Sequence, residues 1–175
     1  FYQEMLVNFR STPDTKAGSG LLGTILQKGI DVVKFIEDSF DIDLLDDDTD
    51  TTSAENNTSV ILLLTLGEEK LLFTGDAGKT ALIHAISHAD SLGIPLTDLR
   101  LLHVPHHGSR RNINSKILTK IKAGTAYVSA SGENPKHPSK RVTNALKKHG
   151  AKVFVTRKTG FLHHDGSSYR DGWNG

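Results

Sequence analysis

Leu72-Phe73-Thr74-Gly75-Asp76 and Val104-Pro105-His106-His107-Gly108-Ser109 decide the reading of this chain. Each is a short apolar run ending at a Gly-marked turn, and each sets a metal-type ligand at that turn. A strand end is a rigid place for a side chain that must hold its position. A carboxylate at one tip and an imidazole at a neighbouring tip can share one divalent ion. No cluster of the form His-x-His-x-Asp-His occurs in the 175 residues.

Around these motifs the apolar pattern alternates between strand and helix. Ser59 to Leu66 and Lys70 to Thr74 read as a hairpin closed by Gly67-Glu68-Glu69. Asp76 to Ser91 reads as a helix and Leu99 to Val104 as a strand. Ile113 to Lys122 reads as a helix capped by Asn112 or Asn114. Thr125 to Ser129 is then a strand, and Pro138 to His149 a helix stopped at Gly150. Lys152 to Thr156 and Gly160 to His164 complete the pattern as strands. The order is that of half of a layered α/β (α+β) protein, whose sheet needs both faces covered. Upstream, Leu22, Leu26, Val33, Ile36 and Phe40 recur at roughly helical spacing. Asp41 to Asn57 is acidic and Ser/Thr-rich, and like charges with little to bury predict a mobile linker. The expected division is a helical segment plus acidic linker over 1–57 and a globular half-domain over 58–175.

Composition narrows the chemistry. With no cysteine there is neither a disulfide framework nor a thiolate metal site, so His and carboxylate must do any ligation. The longest apolar run, Val60 to Leu66 with one Thr, falls far short of the about 20 residues that span a bilayer. No signal-peptide pattern is visible, and the expected location is cytoplasmic or else unknown. The first residue, Phe1 rather than Met, reads as the start of a fragment. The net charge of +1 hides a division: residues 1–58 hold 4 Lys/Arg against 12 Asp/Glu, and residues 59–175 hold 17 against 8. A basic half points to an anionic partner, or to a solvated basic surface.

A wider set of motifs falls into one order: Asn56-Asn57-Thr58-Ser59, Thr74-Gly75-Asp76, Val104 to Ser109, and Asn134-Pro135-Lys136-His137-Pro138. Together they resemble the C-terminal half of a metallo-β-lactamase-fold hydrolase, of the ComEC-like competence branch. The resemblance covers about residues 56–165. It implies an αββα sandwich with two divalent ions, zinc or manganese, at one edge of the sheets. It also implies hydrolysis, of a phosphodiester such as DNA above all. Carried over to matching positions, Asp76 would bridge both metals and His106 would be a ligand of the second. His107 would lie next to the substrate and His137 over the scissile phosphate, with the order within the His doublet left open. The first ligand cluster of the family belongs to an N-terminal half that this chain lacks. The chain alone is therefore expected to bind metal weakly or not at all, and to need that missing half as its partner.

Read without the resemblance, the same residues keep their alternatives. Asp76 suits a metal ligand and equally a helix N-cap. Ser109, with the backbone N–H groups that follow it, suits a phosphate oxygen or a simple turn. Arg110 and Arg111, with Lys116, Lys120 and Lys122 and with Lys136, Lys140 and Arg141 around His137, would form a basic rim if the turns converge, or else solvated helix faces. His84 and His88 read as surface residues, and His103 as a packed strand histidine. His163-His164-Asp165 reads as a polar strand tip rather than a ligand cluster. A phosphodiesterase or nuclease is the leading expectation. A degenerate module that binds nucleic acid or protein is the alternative from another class, and a small phosphoester hydrolase is a third reading.

Overall fold

The computed structural model describes Leu45, residues 52–131 and residues 137–156. The expected helix over 21–40, Lys136 and the tail motifs from Gly160 to Asp165 lie outside these described residues. The elements are α1 (Ala54–Asn57), β1 (Leu62–Leu66), β2 (Glu69–Phe73), α2 (Lys79–Ser91), β3 (Leu99–His103), α3 (Ser115–Lys120), β4 (Ala123–Ser129), α4 (Lys140–Lys148) and β5 (Lys152–Thr156). The strands form one sheet in the order β1-β2-β3-β4-β5. The β1–β2 hairpin is antiparallel, and every later pair is parallel. A parallel neighbour requires a crossover, and α2, α3 and α4 supply them.

Register decides what each face of the sheet does. Leu63, Leu72, Leu102, Ala126 and Val153 are cross-strand partners in one row. Leu72, Leu102 and Ala126 are buried in a cluster with Leu82 and Ile86 of α2, Ile117 and Leu118 of α3, and Val142 and Leu146 of α4. The three helices touch in succession, α2 to α3 and α3 to α4, as a single layer over this row. The alternate row is Leu62, Phe73, His103, Tyr127 and Phe154. Here Leu62 is 53% and Phe73 37% exposed, and Tyr127 stacks on Phe154 with centroids 5.6 Å apart. A parallel sheet is ordinarily covered on both faces. Among the described residues the helix layer covers one face and apolar side chains of the other remain open.

Several element boundaries differ from the sequence expectation, each for a local reason. The helix expected from Asp76 begins at Lys79 with Gly78 as its N-cap. Gly75 adopts φ +53°, and Ala77 N–H donates to Thr74 O at 3.0 Å. The chain thus spends 74–77 on a tight turn before the helix can start, and the N-cap reading of Asp76 is corrected. The β1 strand starts at Leu62 rather than Ser59, because Ser59 N–H still donates to Asn56 O at the end of α1. The helix expected over 113–122 is the six residues of α3, with Asn114 accepting from Ile117 N–H at 2.9 Å. In the acidic stretch expected to be mobile, Leu45 is buried and its carbonyl accepts from the Ser115 N–H and hydroxyl. Residues 54–57 of that stretch form α1, capped by Ser53.

Candidate functional site

The β2 and β3 strands run side by side, so the Thr74-Gly75-Asp76 turn and the Pro105–Gly108 turn emerge at the same end of the sheet. Four hydrogen bonds lock the first turn. The Thr74 hydroxyl donates to His103 O at 2.7 Å, His106 N–H donates to Gly75 O at 3.1 Å, and the Asn112 amide donates to Asp76 O at 3.0 Å and Ala77 O at 3.2 Å. Asn112 is 1% exposed. Burying an amide without partners costs about 1–3 kcal/mol, so this residue is committed to the turn. The Asp76 residue itself is exposed.

The second turn carries the unusual backbone. His106, His107 and Gly108 all have positive φ, at 45°, 56° and 75°. A non-Gly residue in the left-handed region is uncommon, and two in succession cost about 1–3 kcal/mol each and persist only where the surroundings impose them. The surroundings here do so. Gly108 O accepts from Ser139 N–H at 3.0 Å, and a Cβ at Gly108 would stand 2.8 Å from Pro138 Cβ. The turn therefore lies directly against the segment that precedes α4, and this brings His137 in from far along the chain. The His106 and His137 rings stack at 5.8 Å, His106 and His107 meet edge-on at 5.9 Å, and His107 and His137 lie 6.4 Å apart.

Each imidazole has a distinct setting. His107 Nδ1 lies 2.6 Å from the Ser129 carbonyl. A carbonyl only accepts, so this nitrogen carries a proton, and the neutral ring has its lone pair on Nε2. His106 Nδ1 lies 2.9 Å from the Asn56 amide nitrogen. His103, on β3 beside Phe73, has a buried Nδ1 without a hydrogen-bond partner among the described residues. Burial pushes its pKa down, the positive form of His107 pushes it further down, and Asp76 pulls it up. His103 thus feels both motifs, and its neutral form is favoured.

Of the residues singled out from sequence, His106, His107 and His137 converge, and Asp76 sits on the turn bonded to the His106 backbone. Ser109 is 6% exposed, and its hydroxyl accepts from Arg111 N–H at 3.3 Å, as a turn residue does. Arg110 and Arg111 follow at the same sheet end. The basic rim is smaller than expected. Lys120 pairs with Asp90 near the far end of α2 at 3.9 Å, and Lys122 lines a shallow groove with Arg100 and His149 at the opposite end of the sheet. His84 and His88 are exposed on α2. Sequence reasoning assigned no site role to Asn56, Asn112, Ser129 or His103. The Asn56-Asn57 pair stood within a recognised motif, so a signal for it existed.

Among the described residues, no group of three or more His, Cys, Asp or Glu is arranged to hold a metal ion. Asp76 and the histidines are donors of the right chemistry but an incomplete set. No helix of the described residues is long and apolar enough to cross a membrane.

Comparison with known proteins agrees with this architecture. The chain is similar to ComE operon protein 3 of Bacillus subtilis (strain 168), 26% identical over 113 residues, which cover 64% of this chain and 14% of that protein. It is also similar to Recombination protein 2 of Haemophilus influenzae, 30% identical over 111 residues, covering 62% of this chain and 13% of that protein. The chain thus spans a small part of the length of either relative. No solved structure matches it significantly. The family model described as the metallo-beta-lactamase superfamily matches residues 6–133, from upstream of the acidic stretch to beyond β4. The chain belongs to the metallo-beta-lactamase superfamily.

Proposed function

We propose that this chain is part of a metal-dependent hydrolase acting on a phosphodiester, DNA above all, with the site at the β2 and β3 tips. The observation that carries the reading is the convergence of three imidazoles, with centroids 5.8–6.4 Å apart, on the turn next to Asp76. Asp76 and one member of the His106–His107 doublet would contribute ligands to two divalent ions, zinc or manganese. The remaining donors would come from a half of the fold outside the described residues, seated on the open sheet face. When bound, such ions lower the pKa of water and polarise a phosphoryl oxygen. The chain's own part is to hold the acceptor and donor nitrogens in place. His137 and the second member of the doublet face the substrate, and Arg110 and Arg111, just past the turn, add positive charge for a phosphate backbone. The name of one relative includes recombination, which agrees with a nucleic-acid substrate.

The test is zinc and manganese content by elemental analysis, with hydrolysis of bis(p-nitrophenyl) phosphate and of linear DNA. It uses the parent protein carrying this chain and its Asp76→Ala variant. About two ions per parent molecule and hydrolysis, both lost in Asp76→Ala, are expected. No metal at saturating zinc or manganese would sink this reading. It would favour a non-catalytic module, which the incomplete donor set among the described residues supports.

A further inference from the structure

The short helix α1 reaches the site through one side chain, and the rest of α1 is built to hold that side chain still. Asn57, next to it, is 5% exposed. Its amide donates to Thr52 O and Ser53 O, both at 3.1 Å, and its Oδ1 accepts from Ala81 N–H at 3.3 Å. That N–H belongs to the first turn of α2, which has no side-chain cap of its own. Asn57 therefore caps α2 from another element and fastens α1 to the segment that follows Asp76. Contact there is close: a Cβ on Gly78 would stand 2.3 Å from both Asn57 Oδ1 and Thr52 Oγ1. Ser53 Oγ accepts from Asn56 N–H at 3.3 Å and fixes the start of α1. On this anchored turn, Asn56 presents its amide nitrogen to His106 Nδ1 at 2.9 Å.

We propose that Asn56 is a positioning residue that sets the tautomer of His106. The amide NH₂ donates to Nδ1, so the neutral imidazole carries its proton on Nε2. His107 is set the opposite way by the Ser129 carbonyl, with its proton on Nδ1 and a lone pair on Nε2. The doublet thus offers the site one N–H donor and one lone-pair acceptor, from adjacent residues of one left-handed turn. This deepens the hydrolase reading, for which a donor to an anionic oxygen and a ligand nitrogen are both needed. The tautomers themselves do not depend on that reading.

The experiment is two-dimensional NMR of the ¹⁵N-histidine-labelled full chain. It is run with chelator and without substrate, at about pH 8.5, where ordinary imidazoles are neutral. The His106→Asn variant serves only to assign the His106 signals. Wild type is expected to show His106 protonated at Nε2 and His107 protonated at Nδ1. Asn56→Asp, nearly the same shape but only an acceptor, is expected to move the His106 proton to Nδ1 and leave His107 unchanged. His106 already protonated at Nδ1 in wild type would overturn the proposal, because Asn56 would then be accepting. An unmoved His106 proton in an Asn56→Asp variant whose amide spectrum stays native would overturn it as well. Because neither metal nor phosphodiester is present, failure here is separable from failure of the hydrolase reading.

Discussion

The two ends of the sheet use the same backbone device for different purposes. At the end where β2 and β3 finish, Gly108 has φ +75°; at the other end, where β5 begins, Gly150 has φ +93°. Around Gly108 a Cβ would meet Pro138 Cβ at 2.8 Å and Val128 Cγ1 at 3.0 Å, whereas around Gly150 it would meet nothing within 4 Å among the described residues. Gly150 only stops a helix, its N–H donating to Lys147 O. Gly108 lets two chain segments touch, and through that contact His137 joins His106 and His107. A left-handed glycine read from sequence marks a turn in both cases. Only the packing tells which turn assembles a site and which merely ends an element.

The largest expected effect follows from that difference. Gly108→Ala combines a left-handed alanine with overpacking against Pro138 and Val128, and should destabilise the protein by about 2–4 kcal/mol. Gly150→Ala carries the backbone cost alone, about 1–2 kcal/mol. Urea unfolding of both variants measures the gap. Equal losses would mean that the 105–108 turn and the Pro138 segment separate without penalty, and the contrast between the ends would fail.

The same distinction explains what was legible in the sequence. The strand pattern placed β5 at Lys152–Thr156, as observed, because the short β-branched and aromatic run Val153-Phe154-Val155, set just after Gly150, favours a strand. The ligand-type residues were legible because Asp and paired His at strand tips carry a chemical signature. Their supports were not. Asn112 braces a turn 36 residues away, Asn56 meets His106 across 50, and Ser129 meets His107 across 22. No local periodicity records such contacts. The start of α2 was misplaced for a related reason. Asp76 is a good N-cap by type, but the Ala77 to Thr74 hydrogen bond had already committed that stretch to a turn.

A smaller effect tests the electrostatics of the site end. His103 has its pKa lowered from 6.5, first by burial and then by His107, with Asp76 opposing. The unfolded chain therefore binds a proton at this residue before the folded one does. The contribution of His103 to stability is complete above about pH 6.5 and is lost as pH falls from there through the lower folded value. Thermal or urea unfolding between pH 7.5 and 5 should show a flatter decline in His103→Leu than in wild type. Asp76→Asn removes the opposing influence and should steepen the decline. Parallel profiles for all three proteins would mean that His103 does not sense either motif.

At the opposite end the charges should matter least, with one exception that the structure singles out. Glu69 and Arg100 are 3.8 Å apart, with side chains 57% and 44% exposed. Water screens such a pair and ordering two long side chains opposes it, so a double-mutant cycle should return a coupling under about 0.5 kcal/mol. Lys70 differs, because its side chain is only 14% exposed and its ammonium donates to Pro95 O at 2.8 Å and to Asp98 at 2.5 Å. Those two bonds tie β2 to the loop entering β3, and Lys70→Met should cost about 1 kcal/mol. A Glu69–Arg100 coupling as large as the Lys70 loss would show that this end is also a constructed site. A small coupling beside a measurable Lys70 loss would confine constructed geometry here to the single strand-to-loop tie, and leave the remaining charges as a solvated surface.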